Sequence, residues 1–163
     1  KADLEDGDSS EATVLRLATQ EVDVRKYLGN RLRAAASGRY VVPQEEELAD
    51  ARRPDLRFHG VGFDAPVPIE LKLADKWSGP ALIERLETQL CGDYLRDGRS
   101  SLGVFVLVYR GEKTSWRLSE DGPDVDFRGL VAALSAHWAT IGPNFAGVED
   151  ITVVGIDLPR RTQ

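Results

Sequence analysis

The sequence contains very little of what disulfide-linked, zinc-binding and membrane-spanning proteins require. It has one cysteine, Cys91, two histidines and no methionine among 163 residues. A single cysteine excludes an internal disulfide, and these three side chains are too few for a structural zinc site. The longest apolar run, Leu102–Tyr109, is far shorter than the roughly 18 residues that cross a bilayer. We therefore expect a cytoplasmic protein with no membrane partner.

The length and composition are those of one globular domain. Hydrophobic residues make up 42% of the chain and charged residues 29%, which is ordinary for a folded protein. Residues 1–12 carry five acids against one base and show no apolar period, so we expect a flexible acidic linker or an artificial chain boundary there. Residues 13–163 are then the folded domain. Because no methionine is present and the chain begins at Lys1, we interpret it as part of a larger protein.

Charge is distributed unevenly along the chain. The net charge is -6, but residues 13–39 carry six bases against two acids, whereas residues 120–163 carry seven acids against three bases. A local basic face can bind phosphate even on an acidic protein, although tight nonspecific binding becomes less favourable. The overall acidity therefore does not exclude a nucleic-acid partner.

The hydrophobic periodicity predicts alternating helices and strands. Apolar spacing of three and four predicts helices over 13–37, 78–98 and 127–141, the second with Ser78 as its N-cap. Strands are predicted over 40–47, 55–61, 67–73, 102–110 and 151–158. This order predicts an α/β fold of three layers, α/β/α, with a central mixed sheet.

The predicted strand over 67–73 carries an acid and a base on one face. Side chains alternate along a strand, so Glu70 and Lys72 share a face. Asp55 begins the preceding strand, and antiparallel pairing would bring it beside them. Two converging carboxylates suit Mg²⁺ or Mn²⁺. The alternative is a buried ion pair that only fixes the strands.

These residues resemble the PD-(D/E)xK nuclease superfamily, whose members share the fold of restriction endonucleases. The resemblance spans about residues 21–110 and is carried by Pro54-Asp55, Glu70-Leu71-Lys72, and a following helix with Gln89 and Tyr94. It implies a restriction-endonuclease-like fold and a metal-dependent nuclease that hydrolyses DNA phosphodiester bonds. It also implies an effector domain of a larger bacterial protein in DNA restriction, repair or antiphage defence.

The resemblance implies a role for each residue of the motif. Asp55 and Glu70 are expected to bind Mg²⁺ or Mn²⁺, with the backbone carbonyl of Leu71 as a further ligand. Lys72 is expected to position the attacking water or to help deprotonate it. A divalent cation makes its bound water more acidic and stabilises charge on the phosphate, so this chemistry needs no covalent protein nucleophile.

Two further positions are weighed through the resemblance. Many members carry a metal-facing acid on the first helix, which here would be Glu21; the other interpretation pairs Glu21 with an arginine at the edge of its apolar stripe. Gln89 is expected to contact the site or the DNA backbone. The superfamily often has tyrosine four residues after this glutamine. Tyr94 is five residues away, about 140° around an α-helix, and we expect it to serve in packing.

Several predictions concern partners. A group of bases could hold phosphates around the site: Arg52, Arg53, Lys76, Arg96 and Arg99. Other domains of the parent chain are expected partners, and duplex cleavage makes a homodimer a further expectation. The role of Glu45, Glu46 and Glu47 stays open. The rival hypothesis is a nuclease-like binding or scaffold module without catalysis.

Overall fold

The computed structural model of the chain describes residues 15–41, 54–60, 65–95 and 100–159. Its main sheet has five strands, in the spatial order β1-β2-β3-β4-β7. They are β1 (Tyr40–Val41), β2 (Leu56–Gly60), β3 (Val67–Leu73), β4 (Leu102–Tyr109) and β7 (Asp150–Asp157). The pairs β1–β2 and β2–β3 are antiparallel, and β3–β4 and β4–β7 are parallel. The short strands β5 (Trp116–Arg117) and β6 (Asp124–Val125) pair separately.

Helices cover both faces of this mixed sheet. They are α1 (Glu21–Ala36), α2 (Gly79–Arg85), a π-helix (Leu86–Tyr94) and α3 (Phe127–Ile141), with 3₁₀ turns at Ala74–Lys76 and Gly142–Asn144. The apolar residues of α1 join one buried cluster, and those of α2, the π-helix and α3 join another. The predicted α/β class with a mixed sheet is therefore confirmed. None of the helices within the described ranges has the length and hydropathy that a bilayer span needs.

Strand β4 shows why the sheet is covered on both sides. Phe105 and Leu107 enter the cluster of α2 and α3, while Val106 and Val108 enter the cluster of α1. Successive side chains on a strand point to opposite faces, so a continuous apolar run needs cover on each. The predicted strand over 102–110 is confirmed as β4, which lies between β3 and β7.

The first helix differs from the prediction over 13–37. Helix α1 begins at Glu21, since Gln20 has extended backbone angles, and Leu17 is 76% exposed. Val24 is fully buried against the sheet, and Leu28 and Leu32 pack beside it. The apolar spacing was therefore correct from Val24 onward and misleading at Leu17.

The second helix changes type in its middle. Ser78 is the N-cap, as predicted: its hydroxyl accepts a hydrogen bond from the Ala81 N–H at 3.3 Å. From Leu86 onward the hydrogen bonds span five residues, as in Leu95 N–H to Leu90 O at 3.1 Å. The prediction of a single α-helix over 78–98 is therefore wrong in its second half. Such π-helical segments are rare and occur frequently at functional sites.

Some predicted features lie outside the described residues. These are the proposed linker over 1–12, most of the predicted strand over 40–47 with Glu45, Glu46 and Glu47, and four of the bases: Arg52, Arg53, Arg96 and Arg99.

Candidate active site at the end of strand β3

The candidate site lies where β2 stops pairing with β3. The last paired residues are Leu56 and Ile69, so β3 continues for four residues beyond the ladder. Continuing the register would place Pro54 opposite Leu71. Proline has no N–H to donate, so it cannot supply a donor to the carbonyl oxygen of Leu71. Among the described residues, no strand pairs with this stretch of the β3 edge.

Two carboxylates take the place of the missing strand. The Leu71 N–H donates to Asp55 Oδ2 at 2.9 Å, and the Leu73 N–H donates to Glu21 Oε1 at 3.1 Å. In a strand, the N–H and C=O of one residue point to the same side, so the carbonyl of Leu71 points to this edge as well. The structure thus brings the predicted residues Asp55, Glu21 and Leu71 together.

Glu70 and Lys72 form a buried pair beside these carboxylates. Only 2% of Glu70 and 5% of Lys72 are exposed. The Lys72 ammonium donates to Glu70 Oε1 and lies 3.7 Å from Glu21 Oε2. Glu70 Oε2 is buried and accepts no hydrogen bond from any described residue. One oxygen of the pair is therefore satisfied and the other is left without a partner.

The burial of these acids changes their protonation. Burial, with a smaller contribution from the charge of Asp55, raises the pKa of Glu70 from 4.5 to about 7 against the lowering effect of Lys72. Burial also raises the pKa of Asp55, while the hydrogen bond from Leu71 and the charge of Lys72 oppose that shift. The charge of Asp55 therefore acts on Glu70.

Trp77 holds Glu21 and Lys72 in position. Its indole N–H donates to Glu21 Oε1 at 2.9 Å, and the Lys72 ammonium lies 5.4 Å from the ring centroid. Within the described ranges the ion-pair partner of Glu21 is therefore Lys72, whereas one interpretation of the sequence paired it with an arginine. An open cavity of about 320 Å³ adjoins this point and is lined by Gln20, Glu21, Lys76 and Trp77. The predicted phosphate-binding base Lys76 thus lies next to the site.

Arg25 is a member of the site that the sequence analysis missed. Its Nη1 atom lies 3.5 Å from Asp55 Oδ1, and its side chain is 17% exposed. A signal was available, because Arg25 follows Glu21 by four residues and so lies on the same side of α1. Spacing alone could not show that Asp55 is the residue that Arg25 contacts.

The π-helix changes the relation between Gln89 and Tyr94. Five residues separate them, which is the hydrogen-bond spacing of a π-helix, so their backbones lie about one turn apart and the 140° estimate does not apply. Gln89 Oε1 is buried without a hydrogen bond from the described part of the chain. No contact joins Gln89 to the carboxylates in this structure, so its predicted role stays a prediction.

The side chains at this end of β3 carry the oxygen atoms that hard divalent cations bind. Asp55 and Glu21 accept hydrogen bonds from the β3 edge, and Glu70 Oε2 lacks a partner among the described residues. Mg²⁺ and Mn²⁺ prefer such oxygens. Within the ranges described, however, no three acidic, histidine or cysteine side chains form a preassembled metal cluster. Lys72 and Arg25 occupy the space beside the carboxylates, so a cation would have to shift them.

Comparison of the chain with family models, with curated proteins and with solved structures finds no match in any of the three.

Proposed function

We propose that the chain is a metal-dependent nuclease domain that hydrolyses DNA phosphodiester bonds. The observation that carries the proposal is the meeting of Glu21, Asp55, Glu70 and Lys72 at the unpaired end of β3, with one buried Glu70 oxygen unsatisfied by any described residue. Buried polar atoms normally have partners, so an orphaned carboxylate oxygen in a cluster of acids suggests a missing cation.

The sheet order supports a restriction-endonuclease-like architecture. Asp55 immediately precedes β2 and Glu70 lies on β3, two strands that pair antiparallel, and β3 pairs in parallel with β4. The proposed domain would be the effector part of a larger bacterial protein in DNA restriction, repair or antiphage defence. This wider role rests on the resemblance of the motif and on nothing else in the chain.

In the proposed site, Asp55 and Glu70 would hold Mg²⁺ or Mn²⁺, with the Leu71 carbonyl and Glu21 as further ligands. When bound, the cation supplies a more acidic water and neutralises charge on the phosphate. The Lys72 ammonium would orient the attacking water and donate a hydrogen bond to the phosphate. Water adds to phosphorus, the bond to the leaving nucleotide oxygen breaks, and that oxygen takes a proton.

A bound divalent cation would also add positive charge to a cluster in which acids outnumber bases. Three acids and two bases face one another, and the raised pKa of Glu70 lets that acid stay protonated near neutral pH. A divalent cation would favour the ionised form of Glu70 and free the Lys72 ammonium from Glu70 Oε1. Lys72 would then be available to the substrate side of the site.

A plasmid-nicking assay with Mg²⁺, with Mn²⁺ and with EDTA tests the proposal. We expect nicking with either cation and none with EDTA, and we expect Lys72→Ala to reduce the rate by about 100-fold or more. Arg128→Ala serves as the control, because Arg128 is exposed on α3, away from the cluster. Equal cleavage by the wild type and Lys72→Ala would contradict the proposed mechanism.

The alternative function is a nuclease-like binding or scaffold module without turnover. The direct contact between Lys72 and Glu70 favours it, because a protein cation already occupies one oxygen of the acid. The same assay separates the two functions. DNA binding without nicking under any cation would support the module.

A further inference from the structure

A half-buried arginine near the candidate site, Arg85, has no acidic partner among the described residues. Arg85 ends helix α2, and its guanidinium carbon lies 5.3 Å from the centroid of the Trp77 ring. Its Nε atom is buried and makes no hydrogen bond with the described residues. Within the same ranges its guanidinium forms no ion pair, in contrast to Arg110 with Asp75 and Arg117 with Asp124.

A half-buried guanidinium whose Nε atom is buried without a hydrogen bond from the described residues is costly to a folded protein. Removing a guanidinium from water without a carboxylate or full hydrogen bonding is unfavourable, so buried arginines are normally paired. The face of Trp77 compensates for only part of that cost. A guanidinium held in this way is prepared for an anion that comes from outside the chain.

The place of Arg85 in the fold indicates which anion. Trp77 contacts Arg85 by stacking and Glu21 by its indole N–H, and the same ring lies 5.4 Å from the Lys72 ammonium. The open cavity of about 320 Å³ reaches Trp77 and carries the exposed base Lys76. Lys72, Arg85 and Lys76 therefore all lie around Trp77, so positive charge is concentrated beside this ring. Planar guanidinium groups bind phosphates with two parallel hydrogen bonds.

We propose that Arg85 binds a backbone phosphate of the nucleic-acid strand that enters the site, adjacent to the phosphate at Glu70 and Lys72. The inference rests on the proposed function for the identity of the strand. Trp77 would orient the guanidinium, and the change from α-helix to π-helix immediately after Arg85 would direct that side chain independently of the next turn. Neither the motif over 54–72 nor Gln89 assigns this residue a role.

The salt dependence of DNA binding tests the inference. A short fluorescein-labelled duplex is titrated with the protein in Ca²⁺ buffer at several salt concentrations, and the binding constant is obtained from anisotropy. We expect Arg85→Gln to bind about fivefold to tenfold more weakly at low salt and to lower the slope of log K against log salt by about 0.9, the value for one lost phosphate contact. Arg85→Lys should keep the slope and recover part of the affinity, since it keeps the charge and loses the planar fork.

Arg128→Gln is the matched control, because Arg128 is an exposed arginine of α3. An unchanged slope for Arg85→Gln, with the melting temperature preserved, overturns the inference. Plasmid nicking measured on the same samples keeps this inference distinct from the proposed function. Nicking with an unchanged slope removes only the role of Arg85, whereas the expected slope change without nicking supports Arg85 and removes the nuclease. A wild type that does not bind the duplex overturns the role of Arg85.

Discussion

Two buried acids, Glu70 and Asp75, lie only five residues apart in the chain, but they differ in how fully their oxygens are hydrogen-bonded. Asp75 is surrounded by donors: its Oδ1 accepts from Glu112 N–H at 2.8 Å and Lys113 N–H at 3.1 Å, and its Oδ2 accepts from Arg110 N–H at 2.8 Å. Glu70 has Lys72 on one oxygen and no described partner on the other.

The difference distinguishes an acid whose oxygens are used inside the protein from one that the proposed function assigns to a ligand. Asp75 ties the loop after β4 to the end of β3, and the Arg110 Nε atom lies 3.6 Å from it, so its charge and its lone pairs are used inside the protein. Glu70 is buried at a cost that the described chain does not fully compensate. Acids of the second kind mark sites where a ligand completes the structure.

The largest expected effect concerns Asp75, the acid whose two oxygens both accept hydrogen bonds. Asp75→Ala should lower the free energy of unfolding by about 3–5 kcal/mol, because it leaves the buried Arg110 guanidinium without its buried acid and three backbone N–H groups unpaired. Urea denaturation measures the change. The control is Asp124→Ala, whose pair with Arg117 is exposed and should contribute well under about 1 kcal/mol. If Asp75→Ala lowered the free energy of unfolding by no more than Asp124→Ala does, the contrast between Asp75 and Glu70 would not hold.

The second expected effect is the pH dependence of the free energy of unfolding that arises from Glu70. Because the pKa of Glu70 is raised from 4.5 to about 7, the folded state binds its proton more tightly than the unfolded state. Its contribution is fully present below about pH 4.5 and is lost as the pH rises through about 7. The total is about 3 kcal/mol, from 1.36 kcal/mol per pKa unit.

This pH effect is measured by urea denaturation in EDTA at pH 4.5 and pH 8. The unfolding free energy of the wild type relative to Glu70→Gln should fall by about 3 kcal/mol between the two, since glutamine does not ionise. Other titrating groups are shared by both proteins and cancel to first order. A constant difference across this range would mean that Glu70 ionises normally and that the two acids are alike.

The smallest expected effect concerns Arg25. Its guanidinium lies 3.5 Å from Asp55 Oδ1 and would compete with a cation there. Arg25→Gln should therefore bind Mn²⁺ about fivefold more tightly, a change of about 1 kcal/mol. Tryptophan fluorescence measures Mn²⁺ binding, because the indole N–H of Trp77 donates a hydrogen bond to Glu21. Trp77 is also more exposed than Trp116 or Trp138.

The controls for this titration are Arg33→Gln, an exposed arginine of the same helix, and Trp77→Phe, which should remove the emission change. Weaker Mn²⁺ binding by Arg25→Gln would show that Arg25 supports the cation site, contrary to the competition inferred from its contact with Asp55.

Much of the fold could be predicted from local patterns. The bounds of β3 and α3 agree with the predicted 67–73 and 127–141, because strict alternation and regular three-and-four spacing are strong signals. The start of α1 was missed because Leu17 continues the apolar period without being buried. The π-helix was missed because a change of hydrogen-bond spacing leaves no mark on composition.

The candidate site could be predicted only in part. Glu70, Lys72 and Asp55 follow from strand alternation and antiparallel pairing, and the structure brings them together. The sequence left two interpretations of Glu21 open, because a position on the apolar stripe of a helix does not identify the group that the Glu21 side chain contacts. Arg85 carried no distinguishing pattern, because basic side chains on a helix usually face water. The spacing of Arg25 from Glu21 placed both on one side of α1 but did not identify Asp55 as the contact of Arg25.

Sequence alone determined that Glu70 and Lys72 share a face of one strand, because the two-residue repeat of a strand is a property of the backbone. Only the tertiary structure decided that β2 ends its pairing at Leu56, and that Asp55 and Glu21 then accept the N–H groups of Leu71 and Leu73. Those contacts join residues 16 and 52 positions apart. Their formation depends on how α1 and two strands pack together, which no local pattern encodes.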